Sequence, residues 1–166
     1  STLYRSSAAS DVYKRQALGY WDDPEANAAL ATDDGWYLMG DLVQIEPDGW
    51  LTVVGRTSDI VIRGGKNISA VAVEEEVATH GSVALTAVVG APHPRLGEIA
   101  VAYVQLRPGH ALTLEDLKAH LRDRGVTIDW WPEELVVMDE LPMTSGGKVA
   151  KSELRVMASS RSAERI

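Results

Sequence analysis

Between Gly55 and Glu74 the sequence reads GRTSDIVIRGGKNISAVAVE, and this segment limits the fold more than any other. Ile60, Val61 and Ile62 are β-branched, which suits a pleated strand. The Gly64-Gly65 pair ends that run, because two residues without a Cβ let the backbone reverse into a tight hairpin or approach a ligand closely. After Asn67, Ser69 is placed to cap a helix whose Glu74, Glu75 and Glu76 would favour its positive N-terminal end. Strand, reversal and helix start are thus encoded in one short stretch.

The surrounding chain supplies partners for these elements. Val71, Val73, Val77 and Ala78 give the predicted helix one apolar face as far as about His80. Val83 to Gly90 and Glu98 to Leu106 are near-continuous apolar runs, predicting core strands joined by the polar loop 91–97. Leu114, Leu117 and Leu121 recur at helical spacing after Thr113, with Asp116 three residues on, and Gly125 ends that helix. Leu135 to Met138 is a third strand, and a closing helix follows LPMTSGGKVAKSELR. Upstream, Pro24 opens a short helix, 25–31, and Leu42–Ile45 and Trp50–Val54 flank the turn Glu46-Pro47-Asp48-Gly49 as a hairpin. The order β-α-β-β-α-β implies an α+β fold, a small mixed sheet with packed helices. Residues 1–16 lack any period and read as a non-native or disordered tail, with a second tail at 159–166.

Composition removes several function classes. A net charge of −8 without a Lys/Arg stripe argues against a nucleic-acid binder. No run approaches the roughly 18 apolar residues of a membrane span. The absence of cysteine excludes disulfides and thiolate chemistry and fits a cytoplasmic setting. His80, His93, His110 and His120 share no ligand spacing, so no metal site is expected from this chain.

Taken singly, the polar residues have ordinary explanations. Lys148 ends PMTSGGK, but a phosphate-binding P-loop needs Gly where Pro142 stands and Ser or Thr where Val149 stands. Gly64-Gly65-Lys66 fails the same test at Ile60 and Asn67. By spacing alone Lys148 is a surface lysine, Asp41 a turn carboxylate, Arg56 an ion-pair partner for Asp59, and Trp130 and Trp131 core or edge aromatics.

Their order is more informative. GYWDDPE with DDGWYLMGDL, then DGWLTVVGRTSD, IVIRGGKNISAVAVEEEV and LPMTSGGKVAKSELR resemble the C-terminal region of the adenylate-forming (AMP-binding) enzymes, which include acyl-CoA synthetases, nonribosomal adenylation domains and luciferases. The resemblance runs from about Ala17 to Arg155 and is greatest to acid–CoA ligases. It implies that 17–57 is the end of a large N-terminal adenylation domain, left as a β-hairpin remnant, and that 58–158 is the mobile C-terminal domain. It further implies that Asp41 accepts hydrogen bonds from the ribose hydroxyls of ATP, that Arg56 contacts ribose or phosphate, and that Lys148 is the catalytic lysine reaching the substrate carboxylate and the α-phosphate. Ser58 falls at the hinge, and Gly64 and Gly65 line the channel for the pantetheine arm of CoA. A Mg²⁺ site is expected in the missing N-terminal domain, outside this chain.

Departures from the family pattern qualify these roles. Met39 replaces the Thr or Ser before Gly-Asp, Ser58 replaces a charged hinge residue, and Ala70 and Ala72 replace Pro and Glu in the helix start. The expected activity is that of an ATP-dependent acid–CoA ligase acting on a carboxylic acid, with fatty acid metabolism as its setting. The chain alone is expected to be inactive. A carrier protein as thiol acceptor and a non-catalytic partner-binding module are the other readings.

Overall fold

The computed structural model describes residues 3–7, 20–30 and 38–163, in two units that meet in sequence between Ser58 and Asp59. In the first unit, β1 (Leu3–Ser7) pairs antiparallel with β2 (Leu38–Ile45), Leu3 lying opposite Gln44. No strand is legible at 3–7 in the sequence because its residues do not alternate. The partner strand supplies the order that the local pattern lacks, so this part of the expected tail is regular structure. Residues 1–2 and 8–16 lie outside the described residues. Pro24 opens α1 (Pro24–Leu30), as its fixed φ favours, and Asp23 Oδ1 accepts from the Ala26 N–H at 2.9 Å. The end of this helix at Asp33-Asp34-Gly35 also lies outside the described residues. β2 and β3 (Leu51–Arg56) form the anticipated hairpin, closed where the Gly49 N–H donates to the Glu46 carbonyl at 2.9 Å.

The second unit begins with β4 (Ile60–Arg63), which pairs with β5 (Lys66–Ser69) in a register that sets Arg63 opposite Lys66. Gly64 and Gly65 are therefore a two-residue hairpin turn, with φ of +56° and +81°, a conformation that matches the twist of the flanking strands and favours glycine. Chain reversal, one of the two options open at this pair, is what occurs. The helix start is delayed by one strand because Ile68 is buried as part of the hairpin. α2 (Ala70–Ala78) is then capped by Ser69, whose Oγ accepts from the Ala72 N–H at 3.2 Å. Two expectations are corrected here. No acid lies in the first turn, so Glu74, Glu75 and Glu76 sit too far along to meet the N-terminal dipole. The buried face is Ala70, Val73 and Val77, while Val71 and Ala78 are exposed.

β6 (Val83–His93) and β7 (Gly97–Leu106) run antiparallel, and β6 consumes part of the expected loop, leaving only Pro94–Leu96 between them. The sheet order is β5-β4-β7-β6, and β8 (Glu134–Met138) lies parallel to β7. Both faces are covered, which explains the uninterrupted apolar runs. Val88, Ala100, Ala102 and Val104 face Val73 and Val77 of α2 and Leu117 and Leu121 of α3 (Leu114–Asp123). Ala87, Val89, Val101 and Tyr103 face Leu154 and Ala158 of α4 (Lys151–Ala163). Leu117, Leu121 and Leu154 are fully buried, each worth about 1.5–3 kcal/mol by transfer from water. α4 continues to Ala163, so residues 159–163 are helix rather than tail, while 164–166 lie outside the described residues.

Side-chain contacts close the loops. Thr113 and Asp116 form the anticipated capping box, and the Thr113 hydroxyl and N–H hold the Asp116 carboxyl below its ordinary pKa. Trp130 and Trp131 pack partly buried against the first core, with the Trp131 Nε1–H donating to the Val126 carbonyl at 3.0 Å. Among the described residues no helix is long and apolar enough to cross a membrane, and no group of three His, Asp or Glu side chains is placed to hold a metal ion.

Candidate active site

Lys148 sits on a closed loop before α4. Met143 and Val149 form an antiparallel bridge, and the Ala150 N–H donates to the Pro142 carbonyl at 2.7 Å. Within the loop the Thr144 N–H donates to the Lys148 carbonyl at 2.7 Å, and the Gly147 N–H to the Thr144 carbonyl at 2.9 Å. Gly147 adopts φ +76°, which an L side chain resists. Leu141 and Ala150 are buried at the base, whereas residues 143–148 are exposed. Among the described residues nothing forms an ion pair or hydrogen bond with the Lys148 ammonium. A cation at the tip of an ordered, glycine-shaped loop can reach an anion that the described residues do not supply.

Gly64 and Gly65 are also exposed, but their turn is held from both flanks. The Gly64 N–H donates to the Leu96 carbonyl at 2.7 Å, Arg63 Nε lies 2.6 Å from Glu133 Oε1, and Lys66 Nζ lies 2.6 Å from Asp129 Oδ2. A Cβ built on Gly65 would meet nothing within 4 Å. The turn is a smooth, fixed surface with open space beside it.

Asp41 and Arg56 face each other across β2 and β3, in register, with Arg56 Nε 3.1 Å from Asp41 Oδ1. Spacing alone offers Arg56 the nearby Asp59. Strand pairing selects Asp41 instead, and Asp59 accepts from Arg155 Nη2 at 2.8 Å. Asp41 keeps a second carboxylate oxygen, which among the described residues has no donor, while Arg56 is two-thirds exposed. Such a pair can accept from a diol on one side and contact an anion on the other. Ser58 is the last residue of the first unit.

One cluster is missed by the sequence reading. Lys151 Nζ lies 2.8 Å from Glu74 Oε1 and 3.9 Å from Asp59 Oδ1, and Glu74 Oε1 also accepts from the Val88 N–H at 2.6 Å. The available signal was the spacing of Lys151 and Arg155, four apart and so on one helical face, but no spacing identifies acids contributed by α2 and by the segment before β4.

Residues 72–148 match the family described as AMP-binding enzyme C-terminal domain. The medium-chain fatty-acid–CoA ligase of Escherichia coli is 40% identical over 139 residues, 83% of this chain and 25% of the relative. A salicylyl-CoA synthase / salicylate adenylyltransferase of Streptomyces is 44% identical over 137 residues, 82% of this chain and 25% of that protein. The crystal structure of ATP-bound MatB from Rhodopseudomonas palustris superimposes with a TM-score of 0.71 at 31% identity, covering 87% of this chain and 29% of the other. The chain thus spans about a quarter of the length of the curated relatives it matches. Its mixed sheet and helix order agree with that match: residues 72–148 carry the pattern of the AMP-binding enzyme C-terminal domain.

Proposed function

We propose that the chain is the C-terminal part of an ATP-dependent acid–CoA ligase, which activates a carboxylic acid as its acyl adenylate and transfers the acyl group to CoA. The observation that carries this reading is the Lys148 ammonium, without a partner among the described residues, on an ordered, exposed loop inside the matched family region. In the first half-reaction a carboxylate oxygen attacks the α-phosphorus of ATP, and the bond to pyrophosphate breaks. Lys148 offsets the negative charge gathering on the carboxylate and the α-phosphate, a role for a preorganised cation. Asp41, steadied through Oδ1 by Arg56, offers its other oxygen to the ribose hydroxyls. In the second half-reaction the CoA sulfur attacks the acyl carbonyl and AMP leaves. Gly65 then forms part of the wall of the pantetheine channel, where any side chain would occupy the open space beside the turn. Ser58 is the hinge between the two arrangements, because one site cannot hold both groups at once.

The remaining parts belong upstream. The acyl and adenine pockets lie in a large N-terminal domain, with carboxylates that would hold Mg²⁺ against the phosphates. The absence of cysteine supports a cytoplasmic setting, and the name of the E. coli relative supports fatty acid metabolism. The test is to join the chain to that upstream domain and screen carboxylic acids for CoA-dependent AMP release. One acid class should release AMP in step with thioester formation, while the isolated chain consumes no ATP. Adenylate formation with no thioester for any acid would overturn CoA as the acceptor.

A further inference from the structure

The loop bearing Lys148 has little packing of its own, since only Leu141 and Ala150 at its base are buried and residues 143–148 face solvent. Its direction therefore depends on how α4 is seated. The first residue of α4, Lys151, enters a cluster drawn from three other elements. Glu74 of α2 approaches Lys151 Nζ with both oxygens, at 2.8 and 3.0 Å. The same carboxylate accepts from the Val88 N–H at 2.6 Å, on the outer edge of β6. Asp59, the first residue of the second unit, lies 3.9 Å from Lys151 and 2.8 Å from Arg155 Nη2 one turn further along α4. The side chains of Glu74, Asp59, Lys151 and Arg155 are mostly buried, with 16–32% exposed. Partly buried, charge-assisted contacts of this kind fix geometry better than exposed pairs do.

We propose that Glu74 and Lys151 are positioning residues for Lys148, clamping the base of its loop to α2 and β6. Asp59 and Arg155 extend the clamp to the residue that follows the hinge. The inference rests on the proposed role of Lys148 and deepens it. An ordinary structural ion pair would support every activity of this lobe equally. A clamp at the foot of one loop affects the half-reaction that uses that loop and leaves the pinned glycine turn untouched.

The experiment compares Lys151→Met and Lys151→Arg in the protein carrying its full N-terminal domain. In the Met variant, acid-dependent pyrophosphate exchange should fall about tenfold, in kcat rather than in KM, because a small misplacement of the reacting cation slows the chemical step. Thioester formation from supplied acyl adenylate should stay near the parent rate, and the Arg variant should recover most of the loss. Amide exchange at Thr144, Gly147 and Lys148 should quicken in the Met variant while β6 and β7 remain protected. Equal loss in both half-reactions, no recovery with Arg, or unchanged exchange in the loop each overturns the clamp. If the parent shows no pyrophosphate exchange, the proposed function fails, and amide exchange alone decides whether Lys151 orders the loop.

Discussion

The chain uses the tripeptide Gly-Gly-Lys twice, at 64–66 and at 146–148, and puts the lysine to opposite ends. At the first, Lys66 folds back onto Asp129 at 2.6 Å, Arg63 reaches Glu133, and the turn is a two-residue hairpin between paired strands. At the second, the loop is closed by its own backbone, through the Met143–Val149 bridge and the Thr144–Lys148 contact, and the lysine ammonium has no partner among the described residues. Identical residues thus give a fixed, featureless surface in one place and a cation presented on a loop in the other. The difference comes from neighbours distant in sequence, Asp129 and Glu133 for the first turn, and for the second Glu74, which holds Lys151 at the start of the following helix. A glycine pair supplies the bend, and the surroundings decide what the bend is for.

The comparison breaks most decisively at Lys148. With the N-terminal domain present, Lys148→Ala should lower pyrophosphate exchange by roughly 10²–10³-fold, the usual effect of deleting a preorganised charge donor. Thioester formation from supplied acyl adenylate should persist, and equal loss of both steps would return Lys148 to the status of a surface residue. Gly65→Leu should do the reverse. Thioester formation falls by about tenfold or more as the side chain fills the channel wall, while pyrophosphate exchange is retained. Because Gly65 sits at φ +81°, this substitution also costs about 1–2 kcal/mol of stability, which a shift in unfolding midpoint would register. Normal thioesterification in a folded Gly65→Leu protein would remove that turn from the channel.

Part of this contrast is legible in the sequence. Local signals were sufficient where they were chemical: Ser69 and Thr113 cap the helices they were expected to cap, and the apolar runs at β6 and β7 are strands covered on both faces. Pairing information was not local. The strand at Leu3–Ser7 exists through its register with β2, and Lys66–Ser69 is a strand because Ile68 is buried and Arg63 stands opposite Lys66. Spacing alone offers Arg56 an ion pair with Asp59, yet strand register sets it opposite Asp41. Likewise the place of Glu74 in the clamp depends on the Val88 N–H of β6 and Lys151 of α4 both reaching its carboxylate. Motif order singles out Asp41, Arg56 and Lys148 as candidates, but the contacts around them depend on strand register and on α2, which motif order does not show.

The smallest expected effect tests the quieter member of the pair. Lys66 and Asp129 lie close, but their side chains are 64% and 41% exposed, so water screens the attraction and the ordering of two side chains offsets much of the gain. Lys66→Ala should therefore change stability by less than about 1 kcal/mol. The turn itself should keep its shape, since the strand register, the Gly64 N–H contact to Leu96 and the more buried Arg63–Glu133 pair all remain. Both half-reactions should run near parent rates. If Lys66→Ala instead slowed thioester formation tenfold without unfolding the protein, the two lysines would differ less than their surroundings imply, and Lys66 would have to be counted among the groups that meet the incoming thiol.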